Sequence, residues 1–170
     1  KCPEDPYGIY NSLLYNMSKT HKMIKFAHTN IVTDDWRKLA DFYIKVFDCK
    51  PVLPERDLKG MWLDKATKIE NAHLKGVHLA LPGYENDPPT LEIFQYDRNI
   101  ENPESLSNRK GYGHIAFKVG NVNDTLDKLL ENGGSLFGEV VGAGIPDAGH
   151  ITFVYAKDPD GNIVEIQNWR

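Results

Sequence analysis

The sequence predicts an α+β fold built from two βαβββ units. Each half opens with an alternating segment that carries a histidine, FAHTNIV in the first half and GYGHIAFKV in the second. An amphipathic helical pattern follows in both halves. Each half then closes on a strand with a glutamate between branched residues, LEI at 91–93 and VEI at 164–166. Alternation indicates half-buried strands, and apolar residues three or four positions apart indicate helices. Such a duplication identifies structurally equivalent positions.

The first unit is predicted at about residues 23–98. KFAHTNIVT is the first strand, and the helix in DDWRKLADFYIKVFD begins at an N-cap of Asp34 or Asp35. CKPVLPE is expected to be a strand interrupted by prolines, MWLDKATKI is compatible with a helix or a loop, and HLKGVHLALPG and TLEIFQYD are two further strands. An insertion around 57–76 would explain why the histidine offset, 114 − 28 = 86, exceeds the glutamate offset, 165 − 92 = 73.

The second unit is predicted at about residues 110–169. GYGHIAFKV is its first strand, NDTLDKLLENGG is a helix that begins at Asn123 or Asp124 and ends at Gly133, and GHITFVYAKDPDGNIVEIQNW is a hairpin across the DPDG turn. The two units form a single predicted domain over 23–169. Residues 1–22 are an extension that we interpret either as a peripheral helix or as a tail.

Composition excludes several classes of partner. The chain has 170 residues and a formal net charge of −4, without a run of basic residues, so we expect no nucleic-acid partner. No apolar stretch approaches the roughly 20 residues of a membrane helix, so no membrane association is expected. Two cysteines do not form a disulfide framework or a metal motif, which favours a reducing, cytoplasmic location. The chain begins at Lys1, which leaves open a removed upstream segment.

Strand parity predicts a cluster of metal-binding side chains. Alternate residues share a face, so Glu165 and His114 lie opposite the apolar face that the helix covers. Their equivalents in the first half are Glu92 and His28. If both units curve around one cavity, these two imidazoles and two carboxylates form a site for one divalent ion, Zn, Ni, Co, Fe or Mn. The ion would make burial of the carboxylates tolerable and would leave positions open for Lewis-acid chemistry.

Each of these residues also has an ordinary structural interpretation. A single histidine is often a hydrogen-bonded core residue, and a glutamate can face solvent on an edge strand, but the repeat relation favours the ligand interpretation. Parity also brings Tyr96 and Asn30 toward the same cavity as candidate substrate-binding residues. His78 is either a third such residue or a surface or hydrogen-bonded histidine.

The sequence resembles the vicinal oxygen chelate superfamily over about residues 23–169. The motifs are GYGHIAF, DPDGNIVEI, DFYIKVFD and the paired His and Glu positions. The superfamily includes glyoxalase I, methylmalonyl-CoA epimerase, extradiol dioxygenases, fosfomycin-resistance thiol transferases and bleomycin-binding proteins. The resemblance implies two βαβββ modules that form a curved mixed sheet, a cup around the metal, and a homodimer.

The order His, Glu, His, Glu is most similar to bacterial glyoxalase I. The resemblance implies isomerisation of a small carbonyl-derived substrate through a metal-bound enediolate, with Glu165 and Glu92 as the residues that remove and return the proton. Where that branch has an arginine and an asparagine for glutathione, this chain has Val32 and Tyr96. Lys110 retains a positive charge where that branch has arginine, and it is either a substrate contact or a solvated lysine.

We therefore predict a metal-dependent isomerase or lyase of glyoxalase type with a small-molecule substrate, and glutathione dependence is doubtful. The first alternative is an extradiol-type dioxygenase or an epimerase on the same fold. The second is a metal-free protein that binds a small molecule, as drug-resistance proteins do.

Overall fold

Two mixed sheets, one from each half of the chain, form the frame of the molecule. The computed structural model describes residues 24–101 and 103–170, so the expectation for residues 1–22 lies outside the described residues. The elements of the first half are β1 (His28–Val32), α1 (Trp36–Phe47), β2 (Lys50–Lys59), α2 (Met61–Thr67), β3 (His73–Ala80) and β4 (Thr90–Tyr96). Those of the second half are β5 (Ile115–Lys118), α3 (Val122–Glu131), β6 (Ser135–Leu136), β7 (Val141–Ile145), β8 (Gly149–Lys157) and β9 (Ile163–Trp169).

Both sheets have the same connectivity, which confirms the predicted α+β class. The four-stranded sheet has the order β1-β4-β3-β2, and the five-stranded sheet has the order β5-β9-β8-β6 with β7 also paired to β8. The first strand of each half is parallel to the last, β1 to β4 and β5 to β9, and the other pairs are antiparallel. The histidine strand therefore lies beside the glutamate strand in both sheets.

The helices of the two halves share one apolar core. The ring of Phe47 in α1 stacks on Phe117 of β5, with centroids 4.0 Å apart and planes 12° apart. Val154 of β8 and Ile166 of β9 are fully buried in the same cluster as Leu39 of α1. Burial of this apolar area is the main favourable term in folding, and here it joins residues from both halves.

Two local expectations differ from the structure. β2 runs through its prolines as a strand with a register shift between Val52 and Arg56, because it is an edge strand, where proline is tolerated. The N-cap of α3 is Asn121 rather than Asn123 or Asp124, and its side-chain oxygen accepts hydrogen bonds from the backbone amides of both of those residues.

The segment with two interpretations, MWLDKATKI, contains the helix α2. Leu63 of α2 packs with Leu74 of β3 and Phe94 of β4 in a second apolar cluster. Leu74 and Phe94 share their strand faces with His78 and Glu92, respectively, so the inserted helix covers one end of the face that carries the predicted site. Within the described residues, no helix has the length and apolar character to cross a membrane.

Candidate metal centre

The two predicted histidine–glutamate pairs occupy equivalent positions in their sheets. Asn30 of β1 is the register partner of Glu92, and His28 precedes Asn30 by two residues. Ala116 of β5 is the register partner of Glu165, and His114 precedes Ala116 by two residues in the same way. Because side chains two residues apart in a strand share a face, each histidine is on the same side of its sheet as its glutamate.

The side chains of each pair approach one another closely. His28 Nε2 lies 3.4 Å from Glu92 Oε2, and His114 Nε2 lies 2.9 Å from Glu165 Oε2. The glutamate side chains are largely buried, with exposed fractions of 14% for Glu92 and 12% for Glu165. A buried carboxylate is costly unless it is paired. In the described part of the chain, the ion-pair partners of both glutamates are imidazoles, and no lysine or arginine pairs with either.

A further side chain flanks each glutamate from the neighbouring antiparallel strand. His78 is the register partner of Glu92, and its Nε2 lies 3.3 Å from Glu92 Oε1. Tyr155 is the register partner of Glu165, and the centroid of its ring lies 5.0 Å from the centroid of the His114 ring. Burial lowers the pKa of His78, and the negative charge of Glu92 opposes that shift. Burial raises the pKa of Tyr155, and the charge of Glu165 adds to it.

The two pairs do not combine into one group within a single chain. Among residues 24–101 and 103–170, no three His, Cys, Asp or Glu side chains are grouped so that they could hold a metal ion. His28 and His114 instead line the same open cleft, which has a volume of about 1060 Å³. We call each of these two equivalent histidine–glutamate pairs a half-site of the predicted metal centre.

The family model of the Glyoxalase/Bleomycin resistance protein/Dioxygenase superfamily matches residues 25–166 of this chain. The chain belongs to this superfamily.

Curated relatives of this superfamily member include two lactoylglutathione lyases. The enzyme of Escherichia coli O157:H7 is 29% identical over 145 residues, which cover 84% of this chain and 91% of the relative. The enzyme of Salmonella typhimurium is 28% identical over the same length, with the same coverage of both chains.

Solved structures support the fold assignment of this superfamily member. A glyoxalase family protein from Bacillus cereus has a TM-score of 0.75 at 16% identity and covers 88% of this chain and 97% of its own. The fosfomycin resistance protein FosX from Listeria monocytogenes has a TM-score of 0.57 at 16% identity. The match covers 87% of this chain and 96% of the FosX chain. At these identities the likeness concerns the fold alone.

The remaining predicted substrate-binding residues lie in two places, the open cleft and the apolar cluster beside α2. Asn30 and Lys110 line the same cleft as His28 and His114. The side-chain amide of Asn30 also donates a 3.3 Å hydrogen bond to the backbone oxygen of Glu92, which ties β1 to β4. Tyr96 packs against the apolar cluster around α2, away from the cleft lining. Burial raises the pKa of Tyr96, and the charge of Glu92 contributes to the shift.

Sequence reasoning missed the equivalence of His78 and Tyr155. The two residues precede their glutamates by different distances, 92 − 78 = 14 and 165 − 155 = 10, because the connecting hairpins differ in length. Only the register of β3 on β4 and of β8 on β9 makes them equivalent. The DPDG turn, which begins the five-residue connection 158–162 between β8 and β9, was the signal that could have revealed it.

Proposed function

We propose that this superfamily member is a metal-dependent isomerase or lyase of glyoxalase type that acts on a small carbonyl-derived substrate. The observation that carries the proposal is the equivalence of the two half-sites. His28 with Glu92, and His114 with Glu165, stand at the same offset on the same pair of parallel strands in two sheets. Side chains whose role is only to support the fold have no need to recur at equivalent positions with the same chemistry.

The donor set fits a divalent ion. Two imidazole nitrogens and two carboxylate oxygens suit Zn, Ni, Co, Fe or Mn. The largely buried carboxylates of Glu92 and Glu165 have imidazole partners but no lysine or arginine in the described chain, so a cation would compensate their charge. When bound, the metal would polarise a substrate oxygen as a Lewis acid.

The protein side chains would carry the proton transfers. Glu165 and Glu92 are the groups that would remove a proton from the carbon next to a carbonyl and return it to the neighbouring carbon. His78 lies against the Glu92 carboxylate and would keep its orientation. Lys110, Asn30 and Tyr96 are the further candidates for substrate contacts.

Glutathione is not assigned as part of the substrate. The curated relatives carry the name lactoylglutathione lyase. However, Val32 and Tyr96 stand where the resemblance implies an arginine and an asparagine for glutathione. A valine supplies no hydrogen-bond donor to a carboxylate, so an anion held at that position would be lost.

We further propose that two chains complete each site, with the first half of one chain facing the second half of its partner. The support is that the described part of one chain holds two half-sites and no group of three ligands. Apolar side chains are also exposed around the cleft, Phe26, Val32, Leu106 and Tyr112 among them. Exposed apolar patches of this kind mark interaction surfaces.

Elemental analysis tests the metal site. The protein purified without chelator is expected to contain about one transition-metal ion per chain, and the Glu92→Gln, Glu165→Gln double variant is expected to lose it. Glu139→Gln, at an exposed glutamate outside both pairs, is the control that retains the metal. If the parent binds none of Zn, Ni, Co, Fe or Mn, the proposal is wrong. If it does bind metal, isomerisation of 2-oxoaldehydes, with and without glutathione, is measured next.

Mixing two single variants tests whether the site is shared between chains. Glu92→Gln and Glu165→Gln chains are refolded together in equal amounts, and the presence of mixed dimers is verified by mass spectrometry. In a shared site, each mixed dimer has one intact and one doubly altered site, so about one quarter of the metal capacity returns. If every site lies within one chain, mixing restores none of it.

A further inference from the structure

Lys157 is a largely buried cation on the same sheet face as the second half-site. Alternate residues of β8 share a face, so Lys157 is on the side of Tyr155, which faces Glu165 across the strand pair. Ile163, the register partner of Lys157, lines the cleft together with His114. The exposed fraction of the Lys157 side chain is 16%. The lysine side chain is therefore mostly covered by protein, on the sheet face that carries the second half-site.

Among the described residues, two groups hold this lysine, and neither is a strong partner. Its Nζ lies 4.7 Å from the centroid of the Phe137 ring, a cation–π contact that keeps the aliphatic stem in place. Its ion-pair partner is Glu104, with Nζ 3.4 Å from Glu104 Oε1. Charge-assisted bonds between nitrogen and oxygen are normally about 2.7–2.9 Å long. The Glu104 side chain is 75% exposed and belongs to the segment between β4 and β5.

We propose that Lys157 binds an anionic group of the substrate, a carboxylate or a phosphate, and that Glu104 occupies this position when the substrate is absent. The inference rests on the proposed function and narrows its substrate class to anionic carbonyl compounds. Two residues of a strand span about 7 Å, so the anion would bind several bonds away from the carbon that reacts at Glu165. Such a ligand would displace the weakly held carboxylate of Glu104 and would replace it as the charged partner of Lys157.

Other cations near the cleft are less suited to this role. Arg109 and Lys110 line the cleft but are exposed. Lys118 is on the same face as His114 and is also exposed. A charge in solvent is screened by water and salt, whereas a largely buried charge interacts more strongly with an anion. Lys157 also explains how the chain could hold an anion although valine stands at position 32, where the resemblance implies an arginine.

Anion binding to the metal-free full chain tests the inference. Inorganic phosphate and succinate are titrated by NMR into the parent and into Lys157→Met, Lys157→Arg, Glu104→Gln and Lys118→Met. We expect Lys157→Met to weaken binding about tenfold or more, because it removes a charged hydrogen bond but keeps the stem on Phe137. Glu104→Gln should tighten binding about two- to fivefold, the range of an exposed ion pair. Lys157→Arg and Lys118→Met should stay within about twofold of the parent.

The two anions and a neutral probe separate the outcomes. Tighter binding of phosphate than of succinate assigns a phosphorylated substrate, and the reverse order assigns a carboxylate. Dimethyl succinate, which has no charge, should not bind at Lys157. Equal affinities of the parent and Lys157→Met, or weaker binding by Glu104→Gln, would overturn the inference. Because the protein is metal-free, this result is independent of whether the metal site and the isomerase activity are verified.

Discussion

The hydroxyl of Tyr43 in α1 donates a 2.9 Å hydrogen bond to Asp158 Oδ2 in the turn between β8 and β9. Both residues are buried, with exposed fractions of 0% for Tyr43 and 2% for Asp158. Asp158 also organises its own turn, because it accepts hydrogen bonds from the backbone amides of Asp160 and Asn162 and from the Asn162 side chain. This contact therefore connects the helix of the first half to the turn that precedes the Glu165 strand.

Tyr43→Phe should lower the free energy of unfolding by about 1–3 kcal/mol. The substitution keeps the ring in the core and removes only the hydroxyl, so a buried carboxylate oxygen loses one of its donors. Urea unfolding of parent and variant measures the difference. Tyr112→Phe is the matched control because Tyr112 is fully exposed, and it should change stability by less than about 0.5 kcal/mol. Equal effects of the two substitutions would contradict the structural role of Asp158.

Gly76→Ala should destabilise the face that carries the first half-site. A Cβ at Gly76 would lie 2.0 Å from the backbone oxygen of Ile93 and 2.5 Å from Cδ1 of Phe94. The backbone oxygen is unable to move aside without shifting β4, so we expect a loss of about 1–3 kcal/mol in unfolding free energy. Because β4 also carries Glu92, the affinity for metal should fall as well.

Gly144→Ala is the control for that experiment. Gly144 is on β7, and a Cβ there would meet no atom within 4 Å. The Gly144→Ala variant should match the parent in its unfolding midpoint in urea and in its affinity for metal. A Gly76→Ala protein that is as stable as the Gly144→Ala protein would show that β3 and β4 can separate without cost.

The order of strands and helices was predictable because its signals are local. The strand and helix periodicities around His28 and His114, and the similar closing strands with Glu92 and Glu165, require only short windows of sequence. The parity of each strand then indicates which residues share a face. The parallel pairing of each histidine strand with its glutamate strand was not predicted, because the duplication indicates equivalent positions and not neighbouring strands.

The features that were not predictable depend on distant parts of the chain. The prolines of β2 are tolerated because the strand is at a sheet edge, which is a property of the whole sheet. Asn121 and Asn123 are equally good capping residues, and Asn121 is selected because Val122 must be buried in the core. The separation of the two half-sites is set by how the two sheets pack, which strand parity does not describe.

His73 should make stability depend on pH near neutrality. Its Nε2 lies 2.7 Å from Asp57 Oδ1 and its Nδ1 lies 3.0 Å from Asp97 Oδ2, so the protonated ring donates to both carboxylates. The hydrogen bond with Asp57, followed by that with Asp97, raises the pKa of His73 above its usual 6.5. Its contribution is therefore complete below pH 6.5 and is lost as the pH rises through the higher pKa of the folded state.

Unfolding free energies across this pH range measure the contribution of His73. The difference between the parent and His73→Asn should be largest below pH 6.5 and should shrink at higher pH. His150→Asn, at an exposed histidine outside these two ion pairs, is the control for the loss of an imidazole. If the difference grows with pH, the ring is stabilised in its neutral form, and the two aspartates do not act on it as described.

Metal binding should stabilise the folded protein, because the ligands are in place only after folding. A ligand that binds only the folded state adds about 2.7 kcal/mol when its free concentration is 100 times the dissociation constant. The thermal midpoint of the parent should therefore rise with added metal and fall again with a chelator. The Glu92→Gln, Glu165→Gln variant should show no such rise, whereas Glu139→Gln should behave like the parent.

In the metal-free state the double variant should even be the more stable protein, because it removes two largely buried carboxylates. A double variant that is less stable without metal would mean that the two glutamates support the fold rather than a metal site.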